Sequence, residues 1–230
     1  MGNPAAALPP TSMAFTPGNA AVVTGAAGGI GYAVSSHCAA LGLRVCLADV
    51  NAEALEEARA RLVAEIGGKG EMVMAAELDV TSPESYAALV DAVLERWDGV
   101  TVGFVHLNAG VGSGDPRSPG TAAAATLQDW AVNLDVNLIG VVNGVQAFLP
   151  LLQSQATPCA LAATASWAGL FNSVPYASVP YVVAKHGCVL LMEALCHELR
   201  ADEAAQVSAH VLCPGQVNTN MLNGIGADRV

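Results

Sequence analysis

A tyrosine and a lysine one helical turn apart could carry acid–base chemistry in the second half of the chain. Tyr181 and Lys185 stand in a segment with helical character, so the phenol and the ammonium share one face. Free tyrosine titrates near ~10, and a neighbouring ammonium stabilises the phenolate and lowers that pKa. Such a base can take the proton of an alcohol. The spacing alone also fits an aromatic ring packed on a lysine stem.

Ser166 stands shortly before this pair, at the end of an apolar run. Its hydroxyl could donate a hydrogen bond to a substrate oxygen as negative charge develops there. Serine at such a position is also a common turn former, so the assignment depends on its partners. Together the three residues indicate a site that polarises and protonates an oxygen.

A second cluster of informative residues is a glycine-rich turn near the N-terminus. Gly25, Gly29 and Gly31 follow a short apolar run and open a helical pattern. Glycine allows the tight turn and lets the backbone approach a pyrophosphate, which then lies at the helix N-terminus. Asp49 ends the next apolar run, where a carboxylate accepts hydrogen bonds from the adenosine ribose and repels a 2′-phosphate. The pattern favours NAD over NADP, although Asp49 could simply cap the next helix.

Short apolar runs alternate with helical patterns from Ala20 onward, which predicts a parallel sheet with right-handed crossovers. The predicted strands are 20–24, 44–48, 72–78, 100–107, 160–165 and 207–212. The predicted helices are 29–41, 52–66, 83–97, 127–152 and 181–200. The fold class is therefore α/β, a three-layer doubly wound parallel sheet of the Rossmann type, with ligands at the carboxyl ends of the strands.

Composition excludes several classes of protein. The net charge of −11 argues against a nucleic-acid partner, because phosphate binding needs lysine and arginine. Hydrophobic residues make up 53% of the chain, but the apolar runs are too short and too interrupted for a membrane span. The 6 cysteines lack metal-ligand or paired spacing, which predicts reduced thiols in a cytoplasmic protein and no metal site.

The 230 residues fit one domain. We expect a flexible, Ala- and Pro-rich tail over 1–18 and a single dehydrogenase-like domain over 19–230. Its cofactor half would be about 19–110 and its catalytic half about 126–230.

From about Ala20 to Thr219 the motifs, in this order, resemble those of the short-chain dehydrogenase/reductase family. The resemblance includes Thr24 before the glycines and the segment from Asp129-Trp130 to Asn137. It implies an NAD(P)-dependent oxidoreductase that interconverts a secondary alcohol and a ketone by hydride transfer. Tyr181 would be the general acid/base, supported by the other members of a catalytic set. That set is Asn137, Ser166, Tyr181 and Lys185.

The resemblance also implies the cofactor contacts. Asp79 and Val80 would hold the adenine, the segment from Pro214 to Thr219 the carboxamide, and the backbone carbonyl of Asn137 a water linking Lys185 to solvent. The motif at 107–110 departs from the family at Leu107. The full expected cofactor set is Thr24, Gly25, Gly29, Ile30, Gly31, Asp49, Asp79, Val80, Asn108, Ala109, Gly110, Tyr181, Lys185, Pro214, Gly215, Val217 and Thr219.

The substrate expected from the resemblance is a small, apolar alcohol or ketone. The residues that would line its pocket are mostly apolar: Trp167, Leu170, Phe171, Val174, Pro175, Tyr176, Met221 and Leu222. The predicted helices 127–152 and 181–200 are apolar over more than one face, which predicts a homodimer and allows a homotetramer.

The family usually continues to a seventh strand, whereas this chain ends at Val230. We therefore expect a sheet that lacks the last C-terminal strand. A second hypothesis stays open, a truncated, weakly active or inactive NAD-binding scaffold that acts through subunit association. A Rossmann-like domain without nucleotide would leave Asp49 and the three glycines unexplained.

Overall fold

A computed structural model describes residues 11–112, 124–171, 177–201 and 205–219. Within these ranges six parallel strands form one sheet in the order β3-β2-β1-β4-β5-β6. The strands are β1 (Ala20–Thr24), β2 (Arg44–Asp49), β3 (Val73–Glu77), β4 (Val102–Leu107), β5 (Cys159–Thr164) and β6 (Val207–Leu212). The predicted α/β fold is confirmed. The strand order reverses between β1 and β4, where sheets of this kind open a ligand crevice.

Helices cover both faces of the sheet. They are α1 (Gly29–Ala40), α2 (Ala52–Glu65), α3 (Pro83–Arg96), α4 (Leu127–Leu134), α5 (Gly140–Ser154) and α6 (Val179–Ala201). Helices α1 and α2 pack on one face, and α3, α5 and α6 pack on the other. Every residue of β1 and β4 is buried, as expected for parallel strands covered on both sides. This burial accounts for much of the apolar composition.

Local sequence signals explain several helix starts. The side chain of Asn51 accepts from Ala54 N at the start of α2, and Ser82 accepts from the backbone N–H of Ser85 ahead of Pro83 in α3. Thr126 and Asp129 form a reciprocal capping box at the start of α4. The caps fix where each helix leaves the carboxyl edge of the sheet.

The sequence predicts one helix over 127–152, and the structure divides it. Helix α4 passes into a π-helical turn at Asp135–Ile139 before α5 begins. The wider turn carries Asn137, which is fully buried and bonds to the loop after β4. At the following Gly140 a Cβ would lie 2.9 Å from Val80 Cγ2, so a larger residue would not fit. Turns of this kind are frequent at functional sites.

The sequence predicts a flexible tail over 1–18, but the second part of this segment forms regular structure. Thr11–Phe15 forms a 3₁₀-helix, Ala14 is fully buried, and the Phe15 ring lies 4.9 Å from that of Phe104. The carbonyl oxygen of Ala14 lies so close to Gly103 that a Cβ there would be 2.0 Å away. Burial of Ala14 and packing of the partly buried Phe15 on Phe104 outweigh the disorder suggested by the Ala- and Pro-rich composition. Residues 1–10 lie outside the described residues.

Two helical stretches, Leu127–Ser154 and Val179–Ala201, are long and apolar enough to cross a membrane by length and composition. Both contribute buried residues to the core that covers one face of the sheet. Core helices of a sheet protein pass the same test, so this finding adds little weight to a membrane assignment.

Candidate active site

A cleft of about 800 Å³ opens at the carboxyl edge of the sheet. Its walls come from the segments that follow β1, β2, β4, β5 and β6 and from the first turns of α4 and α6. The glycine turn and the Tyr181–Lys185 pair, which are far apart in sequence, therefore face one cavity. This is the position predicted for the ligand.

The glycine turn is held in a conformation that needs glycine at several points. Gly25 and Gly29 have φ of 63° and 54°, in the left-handed region. A Cβ on Gly31 would lie 2.2 Å from the carbonyl oxygen of Gly25. The backbone of Ala27, Gly28 and Gly29 lines the cleft at the N-terminus of α1. This bare backbone at a helix N-terminus fits the pyrophosphate of a dinucleotide.

Asp49 reaches back to the turn from the end of β2. Its Oδ2 accepts a hydrogen bond from Ala27 N at 3.1 Å, and its Oδ1 accepts one from Asn51 N at 3.1 Å. The residue is half-buried and lines the cleft. The carboxylate therefore braces the glycine turn and also faces the cleft.

Thr24 lies beneath the turn rather than on the cleft wall. It is fully buried, and its Oγ1 accepts hydrogen bonds from the backbone N–H groups of Asn108 at 2.9 Å and Ala109 at 3.0 Å. Its hydroxyl joins the end of β1 to the loop after β4. Asn108, Ala109 and Gly110, for which the resemblance implies cofactor contacts, line the cleft.

Asp79 and Val80 lie apart from the cleft wall, although the family resemblance implies an adenine contact there. Oδ1 of the exposed Asp79 accepts from the backbone N–H and the hydroxyl of Thr81, so it forms a local turn. Val80 is buried, and its carbonyl oxygen accepts from Asn143 Nδ2 at 3.0 Å. Both residues link the end of β3 to α3 and α5.

The residues after β6 close the opposite side of the cleft. Pro214, Gly215, Val217 and Thr219 line it, and a Cβ on Gly29 would lie 3.1 Å from Thr219 Cγ2. The Pro214–Thr219 segment thus lies directly against the glycine turn. The carbonyl oxygen of Pro214 accepts from Trp167 N at 3.0 Å, which ties the segment to the Ser166 turn.

Ser166, Tyr181 and Lys185 meet at the far end of the same cleft. Ser166 begins a 3₁₀ turn, and its Oγ accepts from Ala168 N at 3.2 Å. Tyr181 lies in the first turn of α6, which begins two residues earlier than the sequence predicts. Lys185 follows one turn later, with Nζ 5.8 Å from the centroid of the Tyr181 ring. This Nζ donates to the carbonyl oxygen of Thr164 at 3.0 Å.

The titration of this pair differs from the sequence-based expectation. Burial raises the pKa of the Tyr181 phenol above its usual value, and a hydrogen bond with Ser166 opposes the rise. Burial also lowers the pKa of Lys185 to about 8. The predicted lowering of the Tyr181 pKa is wrong for this arrangement, because loss of hydration dominates and the ammonium is turned towards the Thr164 carbonyl.

Asn137 acts here through its side chain. Its Oδ1 accepts from Val111 N at 3.0 Å, while its Nδ2 donates to Val111 O at 3.2 Å and to Asn133 Oδ1 at 3.3 Å. The paired contact fixes the loop after β4 next to Lys185, since a Cβ on Gly110 would lie 2.8 Å from Asn137 Oδ1 and 3.3 Å from Lys185 Nζ. Asn137 itself is fully buried behind the cleft wall.

Sequence reasoning missed several residues. Gln128, Asp129, Val132 and Asn133 line the cleft from α4. The available signal was Asn133, a polar residue one helical turn before Asn137 on the face that turns inward. Among the described residues, no group of three or more His, Cys, Asp or Glu side chains could hold a metal ion.

Residues 19–230 match the model of the short chain dehydrogenase family. The chain belongs to the short chain dehydrogenase family. A curated relative, the 1-deoxy-11-beta-hydroxypentalenate dehydrogenase of Streptomyces exfoliatus, is 36% identical over 211 residues, 91% of this chain and 71% of the relative. The granaticin polyketide synthase putative ketoacyl reductase 1 of Streptomyces violaceoruber is 33% identical over 217 residues, 90% of this chain and 72% of the relative.

Solved structures agree with this short chain dehydrogenase assignment. A short chain dehydrogenase/reductase from Burkholderia phymatum in complex with NAD has a TM-score of 0.80 at 35% identity, over 90% of this chain and 69% of that one. A variant of actinorhodin polyketide ketoreductase with NADPH has a TM-score of 0.76 at 28% identity, over 88% of this chain and 72% of that one. This short chain dehydrogenase is therefore a Rossmann-fold oxidoreductase with a nicotinamide cofactor, acting on alcohol or carbonyl groups.

Proposed function

We propose that this chain is an NAD-dependent enzyme that interconverts a secondary alcohol and a ketone, with Tyr181 as general acid/base. The observation that carries the proposal is the single cleft shared by the glycine turn and by Ser166, Tyr181 and Lys185. A dinucleotide-binding backbone and a proton-transfer group within one cavity are the two components that alcohol oxidation requires.

The cofactor, when bound, supplies the hydride chemistry. The N-terminus of α1 would hold its pyrophosphate, Asp49 its adenosine ribose and the Pro214–Thr219 segment its carboxamide end. In oxidation the Tyr181 oxygen takes the alcohol proton, and Ser166 holds the substrate oxygen by a hydrogen bond. The phenolate form that accepts this proton would be stabilised by the Lys185 ammonium, 5.8 Å from the Tyr181 ring centroid, against the burial that raises the Tyr181 pKa. In reduction Tyr181 returns the proton.

The preference for NAD rests on Asp49. Its carboxylate lines the cleft near the turn, where a 2′-phosphate would bring a second negative group. Lys185, at the other end, is the only Lys or Arg among the described residues that line the cleft. Solved relatives carry either NAD or NADPH, so the family alone does not decide this point.

An apolar substrate is supported by the wall beside Ser166. Trp167 and Ala168 follow Ser166 directly, and Val132 and Ala177 also line the cleft. The Trp167 ring lies 5.1 Å from the ring of Phe171, which is 51% exposed. Leu170 and Phe171, which were also predicted to line the pocket, do not line the cleft, and Leu170 is 58% exposed. The other predicted pocket residues lie outside the described residues: Val174, Pro175, Tyr176, Met221 and Leu222. We infer an alicyclic, aromatic or lipid-like alcohol as the substrate class.

A panel of secondary alcohols with NAD, and of the matching ketones with NADH, tests this function. The panel pairs ring-bearing members with short linear ones, and NADH absorbance follows turnover by the full chain. We expect turnover of apolar, ring-bearing members, and its loss in Tyr181→Phe. NADH binding with no turnover of any member would instead favour the second hypothesis, an inactive NAD-binding scaffold.

A further inference from the structure

A buried histidine below the cleft is not used by the reaction proposed above. His106, on β4, is 2% exposed, and its Nε2 lies 2.8 Å from the hydroxyl of Thr164 on the neighbouring strand β5. That hydroxyl lies 3.0 Å from Asn108 Oδ1. Asn108 Nδ2 in turn donates to the carbonyl oxygens of Thr24 at 3.1 Å and Gly25 at 3.3 Å. A continuous network of hydrogen bonds therefore runs from the sheet interior to the glycine turn.

The positions of the hydrogen atoms in this hydrogen-bond network follow from the groups at its two ends. The carbonyl oxygens of Thr24 and Gly25 need a donor, so the Asn108 amide directs its NH₂ towards them and its oxygen towards Thr164. The single Thr164 hydroxyl proton goes to that oxygen. The hydroxyl must then accept from His106, which fixes the tautomer with the proton on Nε2.

The other ring nitrogen agrees with a neutral imidazole. His106 Nδ1 is buried and has no hydrogen-bond partner within the described residues, so a proton there would have no acceptor. Burial lowers the pKa of His106 to about 4. The ring therefore acts as a fixed donor, not as a titrating group, at neutral pH.

The glycine turn packs directly against the side-chain amide of Asn108, at the end of this hydrogen-bond network. A Cβ on Gly31 would lie 2.7 Å from Asn108 Nδ2, and one on Gly25 would lie 3.2 Å from it. The turn and the Asn108 amide are in close contact, so a rotation or shift of Asn108 would displace the backbone that would face the pyrophosphate. Packing this close transmits small displacements.

We propose that His106 is a positioning residue for the cofactor: by donating to Thr164 it directs the threonine proton to Asn108 and so holds the glycine turn in its binding geometry. This rests on the proposed cofactor role of the turn. Without the His106 donor, the Thr164 hydroxyl keeps a buried, unpaired acceptor and can rotate away from Asn108. The turn then loses one of the constraints that preorganise it for the dinucleotide.

Thr164 also contacts Lys185 of the proposed catalytic set, but through a different atom. Its backbone carbonyl oxygen, not its hydroxyl, accepts from Lys185 Nζ. The hydrogen bonds between side chains that begin at His106 therefore lead to the glycine turn, while the Lys185 contact depends on the backbone of β5. Loss of His106 should weaken cofactor binding and leave the proton-transfer step unchanged.

The experiment compares two variants by fluorescence titration with NADH alone. His106→Leu removes the donor at similar volume, whereas His106→Gln restores an N–H near the position of Nε2. We expect the leucine variant to raise the Kd for NADH about five- to tenfold, the effect of one buried hydrogen bond. The glutamine variant should return to within about twofold of the unmodified chain.

A matched control is Ser208→Ala on β6, which also removes side-chain hydrogen bonds of a buried hydroxyl. Ser208 Oγ donates to the carbonyl oxygen of Cys159 at 3.3 Å and lies 2.9 Å from His210 Nε2. This variant should leave the Kd for NADH unchanged. In turnover assays His106→Leu should raise the KM for the cofactor and leave both kcat and its pH profile unchanged, a split that general loss of stability does not produce.

An unchanged Kd in His106→Leu overturns the proposal, and so does an equal rise in Ser208→Ala or the absence of rescue by glutamine. Should the leucine variant fail to fold, Thr164→Val is the second test. It removes the hydroxyl that links His106 to Asn108 at nearly the same side-chain volume, and the Kd for NADH must rise similarly. Failure of the unmodified chain to bind NADH would refute the proposed function as well, whereas normal binding with an inert His106 refutes this inference alone.

Discussion

The ammonium of Lys185 donates a hydrogen bond to the carbonyl oxygen of Thr164 at 3.0 Å, from the first turns of α6 to the end of β5. On the other side of the lysine, a Cβ on Gly169 would lie 2.6 Å from the Lys185 carbonyl oxygen, so the Ser166 turn packs on the same helix. Residue 185 thus contacts the sheet through its side chain and the serine turn through its backbone. The two contacts place the start of α6, and with it Tyr181, beside Ser166.

Tyr181→Phe should abolish turnover and leave cofactor binding near normal, because it removes the proposed proton acceptor and keeps the ring. We expect kcat to fall about 10³-fold, within the range of general acid–base catalysis, and the Kd for NADH to change less than about twofold. Tyr32→Phe is the matched control, since the Tyr32 hydroxyl donates to Glu65. Turnover by Tyr181→Phe within a few-fold of the unmodified enzyme would mean that the acid/base lies elsewhere.

Asp49→Asn should narrow the preference for NAD over NADP. The amide keeps an oxygen that can accept from Ala27 N, so the turn stays braced while the negative charge is lost. We expect the ratio of the NADP and NAD dissociation constants to fall about tenfold, or about 1.4 kcal/mol. Binding titrations with both cofactors measure the ratio. Tighter binding of NADP than of NAD by the unmodified chain would contradict the assignment of Asp49.

Gly31→Ala should disrupt the cofactor turn. The added Cβ would lie 2.2 Å from the carbonyl oxygen of Gly25, so the turn must move. Overpacking of this kind costs about 1–3 kcal/mol, and we expect the Kd for NADH to rise about tenfold or more. Gly70→Ala is the control, because its Cβ would lie 3.9 Å from Val63 Cγ1. Equal NADH affinity in the two variants would show that the turn does not hold the cofactor.

Lys185→Met should yield an inactive but more stable protein. With the folded-state pKa near 8, below the ordinary value of 10.5, burying the ammonium costs on the order of 3 kcal/mol at pH 7, against about 1 kcal/mol for its hydrogen bond. We expect the variant to unfold at higher denaturant concentration at pH 7. Lys69→Met, at an exposed lysine, should show no such gain.

The sign of the pH dependence follows from proton uptake. Between the folded pKa of about 8 and the unfolded value of 10.5, the unfolded state binds more protons at Lys185, so stability of the unmodified chain rises with pH. The advantage of Lys185→Met should therefore shrink between pH 7 and pH 9 in denaturant titrations. A constant difference would mean that burial of the charge does not govern the stability.

Leu190→Glu should dissociate the homodimer that we propose through the outer face of α6. Leu190 is 67% exposed and Val183 is 43% exposed on that helix, an apolar surface of a kind that often marks an interface. Light scattering should show a dimer for the unmodified chain and a monomer for the variant. Leu94→Glu, at a 40% exposed leucine of α3, should stay dimeric. A stable, active monomer of the unmodified chain would end this hypothesis.

The sequence by itself determined the elements and the two ends of the cleft. Strands β1 and β6 and the glycine turn come from local patterns, because apolar runs and turn residues act over a few positions. Tyr181 and Lys185 were identifiable since residue type and helical spacing already define which side chains share a face. Ser166 was identifiable from its place at the end of an apolar run and from this pair. Asp49 followed from its place at a strand end.

Only the tertiary structure decided how distant residues share space. It divided the predicted helix 127–152 at the π-helical turn, packed Ala14 and Phe15 against β4, and placed Thr24 and Asp79 off the cleft wall. It also raised the Tyr181 pKa and joined His106 to Asn108 through Thr164. Hydration loss and hydrogen-bond direction depend on which strands become neighbours, and no local pattern in the chain records that pairing.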